Sequence, residues 1–216
     1  MALCYAAAEY CAPAWHHSTH TKKLDTALNA TMRIVSGCVR STPVESLPIL
    51  SGIPPPDLRR LGNIRSLASR IDTNHLLYHV MQRPNTIPRI QRTNPMSAIK
   101  AADDGENHAT RSWVLEKWNS RWSQSENAVK VYLPQVNLKP QGCHLPRPTW
   151  VKLNRLRSGY GRFKYHRWRW KQAENPYCDC GSYQTAEHLI CPNYGPGEMI
   201  INLTTPDMDT IYWIES

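Results

Sequence analysis

A chain of 216 residues with 41% hydrophobic composition is long enough to bury a core, but its 17 prolines and mean hydropathy of -0.55 favour short helices with long irregular connections. Lys and Arg outnumber Asp and Glu by 26 to 17, and the net charge of +9 points to a polyanionic partner, most simply RNA or DNA. The seven cysteines, of which only the last three cluster, are unlike the even framework of a secreted disulfide protein and fit a reducing, intracellular compartment; no run of about eighteen apolar residues offers a membrane span.

The opening MALCYAAAEYCAPAW lacks a basic leader, carries Glu9 and is rich in Ala, so it reads as a buried helix, not a signal peptide. From Lys22 to Arg40, Leu24, Leu28, Thr31, Val35 and Cys38 recur at three- and four-residue spacing and predict an amphipathic helix capped by Thr19 or Thr21. Pro43 and Pro48 restrict the next segment to a turn or short helix, and SGIPPP breaks the chain. Asp57 opens a helix whose apolar stripe of Leu58, Leu61, Ile64 and Leu67 could run to about Met81; Arg59, Arg60, Arg65 and Arg70 are expected on a solvated face. Residues 84–109, rich in Pro and polar residues, read as a linker between a helical region, 1–83, and a C-terminal region, 110–216.

A helix is expected from about Thr110, with Val114 or Leu115, Trp118 and Trp122 as core. VYLPQVNLKPQG reads as extended chain. PRPTWVKLNRLRSG gives the clearest helix, with Pro148 in the first turn, Trp150, Leu153 and Leu156 on one face and Gly159 as its stop. The tail TTPDMDTIYWIES predicts a closing helix capped by Thr205, with Met208, Ile211 and Tyr212 facing inward. The fold class is therefore mainly α: two small lobes of short helices, the second with a small Cys/His knuckle.

Two features carry chemistry. No acidic residue lies between Glu126 and Glu174, while Arg155, Arg157, Arg162, Lys164, Arg167 and Arg169 interleave with Tyr160, Phe163, Tyr165, Trp168 and Trp170. Cations to meet phosphates and rings to stack on unpaired bases make Arg155, Arg157, Tyr160, Arg162, Lys164, Arg167, Trp168 and Arg169 the candidate nucleic-acid contacts. Then Cys178, Cys180, His188 and Cys191 form a C-x-C-x7-H-x2-C array, with ligand types that close a structural zinc site. Gly181 permits the turn, and Thr185 could cap a helix carrying His188 and Cys191 on one face. The alternative is free thiols and a core histidine.

The stretch LPRPTWVKLNRLRSGYGR, then Trp168, CDCG, QT, EH and CP resembles the C-terminal region of jockey-like non-LTR retrotransposon reverse transcriptases. AEYCAPAW, LNATMRIVSGCVRSTP, LPILSGIPP and LRR are similar to the thumb segment that follows the polymerase palm in that family, and TPDMDTIYWI resembles its closing segment. The resemblance spans nearly the whole chain. It implies the thumb and Cys/His knuckle of an RNA-directed DNA polymerase, gripping single-stranded or template-primer nucleic acid. It also implies a truncated reading frame, because a palm with paired aspartates is missing and the chain is not catalytic alone. Asp103 and Asp104 sit in a polar turn, and Asp207 and Asp209 have no strand or lysine to complete a nuclease site. The family leaves three or four residues between the histidine and the last cysteine, whereas only Leu189 and Ile190 intervene here. The competing expectation is an inactive remnant, or a helical interaction protein whose tryptophans only pack.

Overall fold

In a computed structural model, the described residues are 2–16, 18–71, 74–75, 78, 110–190 and 201–215. The expected linker 84–109, the Asp103–Asp104 turn and Cys191 lie outside them, and the helix expected to run to about Met81 ends at Ala68, with Ser69 as its C-cap. The described chain is mainly helical, and its only extended pairing is an isolated antiparallel bridge between Tyr177 and Tyr183. No described helix is long and apolar enough to cross a membrane.

The order is α1 (Ala2–Glu9), α2 (Ala12–Trp15), α3 (Thr21–Ser36), a 3-10 turn (Val44–Ser46), α4 (Leu47–Ser51), α5 (Pro56–Ala68), α6 (Thr110–Ser123), a second 3-10 turn (Ala128–Val131), α7 (Arg147–Ser158), α8 (Lys164–Arg169), α9 (Ala186–Ile190) and α10 (Met208–Glu215). Two compact units form, and neither is continuous in sequence: one comprises 1–31 and 54–122, the other 32–53 and 123–216. The expected division into contiguous regions is thus not how the described residues cluster.

In the first unit, α1 is less buried than its composition suggests: Tyr5 is inside, while Cys4, Ala6, Ala7 and Tyr10 are exposed. The α5 arginines, expected on a solvated face, turn inward instead. Arg59 makes a two-bonded ion pair with Glu9 and lies 4.7 Å over the Tyr5 ring. Arg60, almost fully buried, pairs with Asp25 and lies 5.8 Å from the Trp15 ring; Arg65 lies over Trp113 at 5.3 Å. Planar guanidinium groups can both fork onto a carboxylate and stack on a ring, which is why arginine is found here. Val114, Trp118 and Trp122 of α6 are buried, as the expected core stripe, and Trp113, outside that stripe, is buried with them.

The second unit is organised around α7. Its apolar face, Trp150, Leu153 and Leu156, packs with Ala186, Leu203 and Ile214. Pro148 occupies its first turn and Gly159 stops it at a φ of 71°. Its polar side chains cap the end of α3. That helix ends at Ser36, short of the predicted Arg40, because Gly37 takes a left-handed φ of 73°. The last carbonyls of such a helix have no partner within it. Arg147 donates to the carbonyls of Ile34 and Val35, Trp150 Nε1 to Val35 at 3.2 Å, Asn154 Nδ2 to Ser36 at 3.0 Å and Arg155 Nε to Gly37 at 3.0 Å.

The same helix holds the tail. Lys152 Nζ donates to the Ile214 and Glu215 carbonyls at 2.8 and 3.2 Å, and the Thr149 hydroxyl to the Glu215 carboxylate at 2.6 Å. Cations at a helix C-terminus meet the negative end of its dipole. The tail differs from expectation by a rotation. Asp207, not Thr205, caps α10 by accepting from the Thr210 N–H at 2.8 Å, so Thr210 and Ile214 are buried while Met208 and Tyr212 face solvent. Only Val131 of the segment expected as extended chain, 131–142, belongs to the second 3-10 turn, whose start Asn127 fixes by accepting from Val129 N–H; the rest forms turns and bends.

Two substitutions test this framework. Asn154→Ala leaves the Ser36 carbonyl without its donor in a fully buried setting and should lower unfolding free energy by about 1–3 kcal/mol. Gly37→Ala places a Cβ 2.3 Å from Val151 Cγ2 at a positive φ and should cost about 1 kcal/mol or more. Urea unfolding read by tryptophan fluorescence checks both; wild-type stability in the two variants would remove α7 as the cap of α3.

Candidate nucleic-acid interface and metal site

The basic aromatic stretch divides into two sets of cations. Those on α7 are structural. Arg157 is 1% exposed, and its guanidinium donates to the carbonyls of Leu203 at 2.8 Å, Gln141 at 2.9 Å and Thr204 at 3.2 Å. Burial pushes it down to about 10, which still leaves it charged at neutral pH, and the three carbonyls solvate that charge. Arg157 therefore leaves the set of expected nucleic-acid contacts. Arg155 is half-buried on Gly37; burial, then neighbouring Arg162, holds it below the ordinary arginine range.

The cations after Gly159 are different. Arg162, Arg167 and Arg169 are exposed, and among the described residues no carboxylate pairs with them. Arg167 makes only a 3.4 Å bond to the Gln172 carbonyl. Lys164 is 3.1 Å from Asp179, an ion pair open to water and so of little energetic weight.

Around these cations the rings form a ladder. Tyr160 stacks on His166 at 5.5 Å, and Trp170 stacks on the same imidazole at 5.9 Å. Tyr165 meets His166 and Tyr183 edge-on at 5.5 and 5.7 Å and lies tilted to Trp168 at 6.4 Å; Tyr183 in turn stacks on Tyr177 at 5.2 Å. Mutual contacts fix the rings without covering them: Trp168 is 45%, Tyr177 46% and Tyr183 52% exposed. Sequence reasoning identified Tyr160 and Trp168 but not His166, Tyr177 or Tyr183. The two tyrosines flank the cysteine turn six residues apart around a glycine, a hairpin signal that would have paired them.

The cysteine turn begins beside that pair. Gly181, at a φ of 86°, donates to the Cys178 carbonyl at 2.9 Å, and Cys178 N–H donates to Ser182 at 2.7 Å. As expected, Thr185 caps α9, its hydroxyl accepting from the His188 N–H at 3.2 Å. Cys180 Sγ lies 3.2 Å from His188 Nε2, and one ligand atom from each of Cys178, Cys180 and His188 falls within 4.8 Å of the others. Tetrahedral bonds of the lengths zinc makes to sulfur and nitrogen put ligand atoms about 3.6 Å apart, so a group gathered within this limit could hold a metal ion. Gln184 supports them. Its Nε2 donates to Cys178 Sγ at 3.7 Å, its Oε1 accepts from Lys164 N–H at 3.0 Å and its carbonyl from Tyr165 N–H at 3.3 Å. A side chain that orients a ligand in this way tunes any metal held there.

His166 gives the ladder a pH dependence. Burial, then Arg169, holds its pKa below the ordinary histidine range. On acidification the unfolded chain takes up this proton first, so the stability tied to the neutral ring is full above about 6.5 and is lost as pH falls below it. Thermal melts in EDTA between pH 7.5 and 5.5 should show a wild-type decline that His166→Phe reduces; equal declines would show that the ladder does not depend on the neutral imidazole. No protein-family model, curated protein or solved structure matches the chain, and the functional reading rests on this geometry.

Proposed function

We infer that this chain binds single-stranded nucleic acid through the α8 surface, without catalysing a reaction on its own. The observation that carries the reading is the coincidence of exposed rings, Trp168, Tyr177 and Tyr183, with the exposed guanidinium groups of Arg162, Arg167 and Arg169, which have no carboxylate partner among the described residues. Rings stack on any base and cations track the backbone, the two parts of a sequence-tolerant single-strand site. The resemblance noted in the sequence extends the reading: the chain acts as thumb and C-terminal region of a non-LTR retrotransposon reverse transcriptase, holding template or primer for a palm that is not among its residues. Cys178, Cys180 and His188 bind zinc, with Cys191 as the fourth ligand the sequence offers, and the ion fixes the turn that carries Tyr177 and Tyr183. Thiolate and neutral imidazole are its ligand forms, so binding strengthens from acid to neutral pH.

Two measurements test this. Fluorescence anisotropy with a labelled single strand should show affinity falling steeply with salt, Trp168→Ala weakening it about tenfold, and Arg167→Ala and Arg169→Ala each lowering the salt slope by about 0.7. No binding at low salt would leave the helical packing protein as the correct reading. Chelator competition should show zinc uptake by the reduced wild type and its loss in Cys180→Ser, with a lower melting temperature in EDTA. Identical melts with and without EDTA would exclude a structural zinc.

A further inference from the structure

Beside the ring ladder, the second unit contains an open cleft of about 470 Å³ lined by Val39, Arg40, Ser41, Arg162, Trp170 and Gln172. Its volume lies within the range of about 300–1,000 Å³ usual for small-ligand sites. The lining is chemically ordered. Arg40 and Arg162 bring two guanidinium groups from different parts of the chain, Ser41 a hydroxyl, Gln172 a carboxamide and Trp170 a large aromatic surface. Among the described residues neither arginine of the cleft has a carboxylate partner. Such a pair is relieved by an anion, and paired guanidinium forks fit a phosphate.

The walls are held in place by the framework already described. Val39–Ser41 follow the capped end of α3; Thr42 N–H donates to Val39 at 3.1 Å and Arg33 Nη2 donates to the Thr42 carbonyl at 3.1 Å. On the other side, Gln172 N–H donates to the Arg167 carbonyl at 2.7 Å, and Trp170 is stacked on His166. Trp170 thus belongs both to the cleft and to the ladder that runs on through His166, Tyr165 and Tyr183 to Tyr177.

We propose that this cleft receives one nucleotide unit, its base against Trp170 with Gln172 at the base edge, and its phosphate between Arg40 and Arg162, as the anchoring position of a single strand that continues along the ladder. The proposal rests on the single-strand reading above for the strand, but not for the nucleotide. A free nucleoside monophosphate and a unit within a strand share the recognised chemistry, and the two are separated by experiment.

The full chain is titrated with a nucleoside 5′-monophosphate and, separately, with a single strand of about a dozen nucleotides. The Trp170 indole and Arg40 guanidinium resonances are followed by NMR, and strand affinity by anisotropy. Both resonances should move with either ligand, and Arg40→Gln should weaken the strand about tenfold. Lys22→Gln, which removes an exposed charge of α3, should leave strand affinity within about twofold of wild type. Strand binding with unmoved Trp170 and Arg40 resonances, and unaffected by Arg40→Gln, overturns the cleft and leaves the strand-binding reading intact. If no strand binds but the monophosphate still shifts both resonances, the occupant is a free nucleotide and the strand is overturned. Silence with both ligands overturns the cleft as a nucleotide site.

Discussion

The second unit depends on a helix end that cannot satisfy itself. Four consecutive carbonyls, Ile34 to Gly37, leave α3 without intrahelical donors, and α7 supplies an indole, a carboxamide and two guanidinium groups to meet them. Backbone acceptors buried without partners are costly, so the positions of Arg147, Trp150, Asn154 and Arg155 follow from one requirement. Their spacing of three, four and one residues places them along a single helical edge, and Leu153 and Leu156 are left to face the core.

This constraint also sorts the positive charge. In the sequence, the cations from Arg147 to Lys171 look like one basic tract. In the folded chain, Arg147, Lys152, Arg155 and Arg157 satisfy carbonyls at two helix ends and two loops, whereas Arg162, Arg167 and Arg169 face water beside exposed rings. Gly159, which stops α7, is where one role gives way to the other. The candidate interface is correspondingly smaller than composition suggests, and aromatic surface carries more of its character than charge does.

Periodicity and breakers made most helices legible. Pro148 and Gly159 bracket α7, the tryptophan stripe marks α6, and Gly181 and Thr185 mark the cysteine turn and its helix. Long-range polar partners were not legible. Arg60 looks like a surface cation until Asp25, thirty-five residues away, is brought to it, and Arg157 until Leu203 and Thr204 are. The cap of the tail was missed because Asp207 competes with Thr205, and its inward face because packing buries the Thr210 and Ile214 side and leaves the Met208 and Tyr212 side outward. Of the site, the ligand types and the rings from Tyr160 to Trp170 were visible, while Tyr177, Tyr183 and the ladder's continuity through His166 were not, because the ladder is made by packing rather than spacing.

Gln184 gives the two candidate sites a shared degree of freedom. One carboxamide touches the sulfur of Cys178 with one atom and the backbone at the start of α8 with the other. A ligand that sharpens the position of either end restricts the other, so occupancy of the cysteine turn and of the aromatic surface would be thermodynamically linked, and linkage is reciprocal: the factor by which the first favours the second equals the factor by which the second favours the first.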